Sequence, residues 1–404
     1  MDTNRITAAP AVAGEVTTFY AYDGAGARSR ALAHAAWLLS GRNHTKTPVL
    51  MIDWDLEAPG LHHYFSGGRP HHERQGVLEL FEACREQLRA PGRAPSDEPR
   101  ELAERVLDGL DWDSYVERVD DSRPLYLMRA GRFDDSYGER VDRLDWDALF
   151  CACPALFRSF AAHLTRRFAH VLVDCRSGRS AATSVCTALL PDKMVGLFTP
   201  EPRSLEGLEG VVRRALDYRC SHEDEQRPLM VYPLPSPPDG GVEERLGWRH
   251  GDGRQDGAGY QAALEKLLGE CYGLDAVALD SYLDEVQLPS ASLGEARLFA
   301  ARGAERDRLG PVRSIETLLE WMEPGHFPWR PLAEVRLVQA VEALRERAGD
   351  TQAPPLAREL ARLGQLYLGQ QGDELEAARR LEQHVIALEE GLHAMEEGRR
   401  TVRN

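Results

Sequence analysis

The stretch Val16-Thr-Thr-Phe-Tyr-Ala-Tyr-Asp-Gly-Ala-Gly-Ala-Arg-Ser29 joins two different periodicities through a run of small residues. Its first seven residues, Val16 to Tyr22, alternate β-branched and aromatic side chains and predict a strand. The strand breaks into a loop of small residues, Asp23 to Ser29. From Arg30 to Leu39, apolar residues at Leu32, Ala35, Ala36 and Leu39 keep the spacing of one helical face. The unit is strand, small-residue loop, helix.

Further along, Pro48-Val-Leu-Met-Ile-Asp53 is a continuous apolar run ending in acid, as a buried parallel strand reads. Trp54-Asp-Leu-Glu-Ala-Pro-Gly60 leaves it as a loop. Further strands are predicted in Pro124–Ala130, His170–Asp174, Lys193–Thr199 and Pro228–Pro233, with helices near 154–167, from Pro200 to Arg219, near 259–272 and near 314–322. Strands alternating with helices predict an α/β fold, a doubly wound and mainly parallel sheet. Such sheets bind ligands at the carboxyl ends of their strands. The proline-rich Pro324-Gly-His-Phe-Pro-Trp-Arg-Pro331 marks a boundary, and beyond it 332–347 and 355–404 read as helix only. The domains expected are a flexible arm, 1–14, an α/β domain, 15–325, and an all-α extension, 331–404.

Composition narrows the function classes. The chain has 404 residues, 43% hydrophobic, enough for a sizeable core, and 65 Asp+Glu against 49 Lys+Arg leave a net charge of −16. That charge excludes a broad nucleic-acid or anionic-lipid surface. Without a spanning apolar run or a secretory leader at its start, the protein is expected to be cytoplasmic. Seven scattered cysteines include no C-x-x-C pair and read as reduced thiols. Lysine occurs only at Lys46, Lys193 and Lys266, a bias that a GC-rich genome produces without selection on chemistry.

Three separated pieces suit one ligand. A nucleoside triphosphate needs backbone N–H groups around its phosphates, a cation near the terminal one, and acids to hold Mg²⁺ and orient water. Gly24 and Gly26 permit close backbone approach, the helix that follows points its positive end at an anion, and Ser29 is placed to ligand Mg²⁺. Asp53 and Asp55 follow the second strand, and Asp174 ends a neighbouring one.

With these pieces in order, the chain resembles the ParA/MinD-like branch of P-loop ATPases, specifically bacterial proteins whose loop reads K-G-G-V-G-R-T. The resemblance covers about Val16 to Met322. It is carried by Phe19-Tyr-Ala-Tyr22, Ala31-Leu-Ala-His-Ala-Ala-Trp-Leu-Leu39, Ile52-Asp-Trp-Asp-Leu-Glu-Ala-Pro-Gly-Leu61, Val171-Leu-Val-Asp-Cys-Arg-Ser-Gly178, Phe198-Thr-Pro-Glu-Pro-Arg-Ser-Leu-Glu-Gly207 and Pro233-Leu-Pro-Ser236. It implies a P-loop NTPase fold, with Asp53 and Asp55 in the switch region that handles Mg²⁺ and attacking water. Asp174 is by the same resemblance the Walker B acid, and Asp23, Gly24, Gly26, Arg28 and Ser29 line the nucleotide. Ser29, Asp53 and Asp174 are the implied metal set. ATP and Mg²⁺ are the implied cofactors if the site works, and none otherwise.

The departures fall in the phosphate loop. Asp23 stands where the family's signature lysine reaches a dimer partner's phosphates. Reversing that charge turns an attraction of about 4 kcal/mol, for a pair 4 Å apart at an effective dielectric near 20, into similar repulsion. Ala25 and Ala27 replace glycines and add Cβ atoms where backbone approaches phosphate. Arg28 matches the family's own arginine and counts as intact.

Blander readings stand beside these. Asp53, Asp55 and Asp174 also read as strand-end residues capping helices, but their joint fit to three motifs of the resemblance favours nucleotide-site geometry. His62, His63, His71 and His72 read as loop histidines rather than a metal cluster, since adjacent imidazoles are expected to point apart. Cys151-Ala-Cys153 reads as a coincidence at a helix start, and Ser177 and Ser180 lack nucleophile-elbow spacing. In the extension, Leu356–Leu388 looks like one tetratricopeptide helix pair, and Ala378, Leu381, Val385, Leu388, Leu392 and Met395 form a heptad-like seam. That seam either packs on its own helices or docks a protein, and its acidic outer face disfavours a membrane.

The expected function is a nucleotide-switch or pseudo-ATPase subunit of a bacterial signalling or defence assembly. It would form a homodimer, or a heterodimer with a related ATPase, and contact a further protein through the C-terminal helices. Two alternatives stay open: a working Mg²⁺-ATPase in which Arg28 or Arg30 covers for the missing lysine, and a helical-repeat adaptor with a vestigial ATPase fold.

Overall fold

The computed structural model describes residues 14–23, 25–41, 47–65, 74–90, 98–222, 229–237, 247–251, 259–274, 277–288, 311–323 and 326–329. Gly24, His71, His72, most of the 1–14 arm and the 331–404 extension, on which helices and a seam were expected, lie outside them. The chain divides into two compact units, Met1–Val277 with Leu283–Phe327, and Ala278–Tyr282 with Pro328–Asn404. The sheet belongs to the first.

In chain order that unit contains β1 (Glu15–Ala21), α1 (Ala25–Leu39), β2 (Val49–Asp53), a 3₁₀ turn (Leu61–Tyr64), α2 (Val77–Arg89), α3 (Pro99–Asp108), α4 (Trp112–Tyr115), β3 (Glu117–Arg118) and β4 (Leu125–Met128). Next come α5 (Tyr137–Arg143), α6 (Trp146–Ala152), α7 (Leu156–Thr165), β5 (His170–Asp174), α8 (Ala181–Ser184) running into a π-helical turn (Val185–Leu189), β6 (Lys193–Phe198), α9 (Pro202–His222) and β7 (Met230–Pro235). Helices Tyr260–Tyr272 and Pro311–Trp321 follow.

The strands form one sheet in the order β3-β4-β2-β5-β1-β6-β7. Every pairing is parallel except β3 with β4. The predicted strands are all present, and β3 is an addition: Glu117 and Arg118 carry no apolar signal and sit on the sheet edge. Central strands must be apolar on both sides, and β1 from Val16 to Ala21, β2, and β5 from Val171 onward are buried throughout.

From β1 to β2 the chain steps toward the β3 edge, whereas from β4 to β5 and from β6 to β7 it steps the other way. Right-handed crossovers then place α1 on one face and α7 and α9 on the other. The reversal falls between β1 and β5, and the acids lie at that crevice. α1 lies close on its face because Ala31, Ala33, Ala35 and Ala36 are small and buried. On the side of α2, α6 and α7 an aromatic core joins Trp54, Phe81, Trp146, Phe157 and Phe160, with ring centroids 5.2–6.1 Å apart. Among the described residues no single helix is long and apolar enough to cross a membrane.

Candidate functional site

β1, β2 and β5 end side by side, and the last residues of β2 and β5 carry charges. Asp53 closes β2 and Asp174 closes β5 in direct register with it, while Phe19 of β1 pairs with Asp174 from the other side. Both carboxylates are 1% exposed. Burying two acids together is costly unless a cation or a proton joins them.

The cation is Arg28, in the first turn of α1 and itself 1% exposed. Its Nε donates to Asp174 Oδ1 at 2.5 Å, its Nη2 to Asp55 Oδ2 at 3.2 Å, and its Nη1 to Ser177 Oγ at 3.2 Å. An arginine is unfavourable at a helix N-terminus, where the helix dipole is positive, and the two carboxylates supply the compensating charge. Burial works against the charged guanidinium, but Asp174 and Asp55 outweigh it and hold Arg28 firmly protonated. Ser29, the next residue, donates its hydroxyl to Asp174 Oδ2 at 2.6 Å.

Asp53 is the acid held toward its neutral form. Its Oδ2 accepts the backbone N–H groups of Gly60 and Leu61, each at 3.1 Å, and its Oδ1 has no hydrogen-bond partner among the described residues. Burial first, then the Asp174 charge, pushes its pKa up to about 8, so the group is neutral at pH 7. Burial also raises Asp174, against the opposing pull of Arg28 and Ser29. Asp55 holds the loop after β2 by accepting Ala58 N at 3.2 Å. Tyr137 donates its hydroxyl to Leu56 O at 2.8 Å, and Glu57 pairs with Arg176, so the loop is held along its length.

Asp23 has its own partner. Its Oδ1 accepts the hydroxyl of Ser204 at 2.6 Å, and Ser204 Oγ accepts Thr199 N at 3.1 Å, which ties the end of β1 to the start of α9. The turn after β5 is fastened to the same strand end. Gly178, at φ 74°, donates its N–H to Tyr22 O, and the Tyr20 hydroxyl donates to Gly178 O. A positive φ of this size favours glycine.

Asp23, Arg28, Ser29, Asp53, Asp55 and Asp174 thus all come to one end of the sheet. Gly26 falls in the first turn of α1, and Gly24 lies outside the described residues. The arrangement does not fit a resident metal ion. Arg28 and Ser29 take both oxygens of Asp174, and among the described residues no group of three His, Cys, Asp or Glu side chains is set to hold a metal. Arg28, read from sequence as an intact phosphate-loop residue, is turned onto the acids. His62 and His63 correct a smaller expectation: their rings do not point apart but meet with centroids 4.0 Å apart, tilted by 38°. Ser177 and Ser204 belong to the site without having been singled out for it. Both lie in stretches that carry the family resemblance, Val171–Gly178 and Phe198–Gly207, and that was their available signal.

No family model and no curated protein matches the chain. Among solved structures it is similar to an McdA–ATP complex from Cyanothece, at 14% identity and TM-score 0.48 over 76% of this chain and 96% of that one. It is also similar to the cell division ATPase MinD of Pyrococcus furiosus, at 13% and 0.42 over 76% and 99%. Cobyrinic acid a,c-diamide synthase of Mycobacterium smegmatis is similar at 14% and 0.45 over 78% and 96%. The fold stands on the strand order and register themselves.

Proposed function

We propose that this protein is a pseudo-ATPase of the P-loop type, a scaffold that keeps the nucleotide-site architecture and works through protein contacts rather than turnover. One observation supports the reading above the rest: the Arg28 guanidinium lies between Asp55 and Asp174, where Mg²⁺ chemistry would require open carboxylates. The site supplies its own cation. Arg28 occupies an oxygen of each carboxylate, Asp55 Oδ2 and Asp174 Oδ1, that an incoming cation would need.

On this reading the degenerate loop Asp23–Ser29 is a structural corner. Asp23 serves Ser204, and Ser29 serves Asp174. Partner binding then falls to a dimer face and to the C-terminal helices, where the seam of Leu381, Val385, Leu388 and Leu392 is apolar enough to bury against another protein.

Steady-state phosphate release with Mg²⁺-ATP tests the proposal. The expected result is no release above the blank, in the wild type and in Asp174→Ala alike. Turnover in the wild type that Asp174→Ala abolishes would overturn the reading in favour of a working ATPase. Calorimetric titration with Mg²⁺-ATP adds a second arm: saturable binding without turnover selects a nucleotide switch.

A further inference from the structure

A second feature lies on the α7/α9 face, apart from the acids. A cavity of about 190 Å³ opens between α6, the π-helical turn and α9. Trp146, Val185, Leu189 and Val211 give it an apolar lining. The hydroxyls on its wall are turned back onto the chain: Ser184 Oγ donates to Ser180 O at 3.1 Å, and Thr187 Oγ1 to Thr183 O at 2.8 Å. The π turn is closed by Leu190 N–H to Val185 O at 3.0 Å, and such turns occur frequently at functional sites.

Two arginines flank this hollow. Arg179 lies across Gly210 of α9, so closely that a Cβ on Gly210 would fall 1.7 Å from its Nη2. Arg214 is one helical turn further along, and it lines the same cavity. Both side chains are exposed, and neither forms an ion pair with a described carboxylate. Asp147 is the acid on the rim. It faces two arginines among the lining residues.

We propose that this cavity binds a small monocarboxylate with an apolar body. The carboxylate meets Arg179 and Arg214, whose forked donors match its geometry. The body enters the lined hollow. An apolar cavity of about 150 Å³ accommodates benzene, so this one takes a chain or ring of about six to eight carbons. Inorganic phosphate lacks the apolar body, and a neutral alcohol lacks the charge; the site selects against each by one half of its construction.

Octanoate titrated calorimetrically into the full chain tests this, with 1-octanol as the uncharged probe of the same length. The expected result is saturable binding of octanoate with one site per chain, and at least tenfold weaker binding of octanol. The double variant Arg179→Ala, Arg214→Ala should lose at least tenfold in octanoate affinity. Because both side chains are exposed and unpaired, its melting temperature should match the wild type. Gly210→Ala displaces the Arg179 head group without removing its charge, and should weaken octanoate by a smaller factor. Absence of saturable octanoate binding at millimolar concentration, equal binding of octanol, or unchanged affinity in a folded double variant would each overturn the proposal.

Discussion

Arg28 and Asp174 face each other across the ends of α1 and β5, joined Nε to Oδ1 and buried to the same degree, 1% exposed. A buried pair of this kind adds little net stability over a well-packed apolar pair, because desolvation of both ions opposes their attraction. Removing one member is another matter, since the other charge is left without water or partner.

Arg28→Ala should therefore lower unfolding free energy by about 3–5 kcal/mol. Two carboxylates, Asp55 and Asp174, lose their cation together. Arg28→Lys should recover part of the loss, since an ammonium keeps the charge but not the three-way fork to Asp55, Asp174 and Ser177. Urea denaturation of the three proteins measures the order. An alanine variant as stable as the wild type would show that the pair is not buried as described.

Asp53 sets the alkaline limb. Its folded pKa of about 8 stands above the ordinary 3.8, so the native state holds a proton that the unfolded chain releases. The stability linked to this group is complete below pH 4 and declines as pH rises toward 8. Asp53→Asn keeps an acceptor for Gly60 N and Leu61 N and has no proton to lose. Its stability should be flatter than the wild type's between pH 5 and pH 8, read as the denaturation midpoint at each pH. Parallel curves for the two proteins would contradict a neutral Asp53.

The parallel strands were legible because each is an apolar run with an acid or proline at its end, as in Pro48–Asp53 and His170–Asp174. β3 was not: two polar residues on an edge have no periodicity to detect. The acids were legible as a group because three strand ends converge at the switch point of the sheet. The direction of Arg28 was not legible, because a guanidinium after a small-residue loop suits a phosphate and a carboxylate equally well. Ser204 lies 181 residues from Asp23, and local pattern does not join them. The paired arginines at the cavity escaped for a similar reason, since Arg179 meets Gly210 only through packing.

The acid limb belongs to His163 and His34. Burial, with Arg166 and Arg167 nearby, lowers His163 to about 4, and burial with Arg30 does the same for His34. His163 stacks on Trp112 at 4.2 Å, and its nearest carboxylate is Asp108, 4.0 Å away. Both groups fold neutral, so the stability they contribute is complete above pH 6.5 and is lost as pH falls toward 4. His163→Phe keeps the stack and cannot be protonated. Its loss of stability between pH 6.5 and pH 4 should be smaller than the wild type's, by circular dichroism melts at each pH. An equal loss would place the acid limb elsewhere.

Asp23 and Ser204 supply the last test, because their bond bears on why an acid stands at position 23. Ser204 is fully buried, its hydroxyl accepts Thr199 N, and its proton goes to Asp23. A hydrogen bond to a charged acceptor contributes about 1.5–3 kcal/mol, and lysine at position 23 offers no acceptor. Asp23→Lys alone should thus destabilise the protein, leaving the Ser204 proton facing an ammonium at the head of α9. In a Ser204→Ala background the bond is already gone, and the same substitution should cost less. The difference between the two costs, taken from urea denaturation of the four proteins, is the coupling energy, expected at about 1–2 kcal/mol. If the costs are equal, Asp23 and Ser204 are energetically independent, and the acid at position 23 owes nothing to α9.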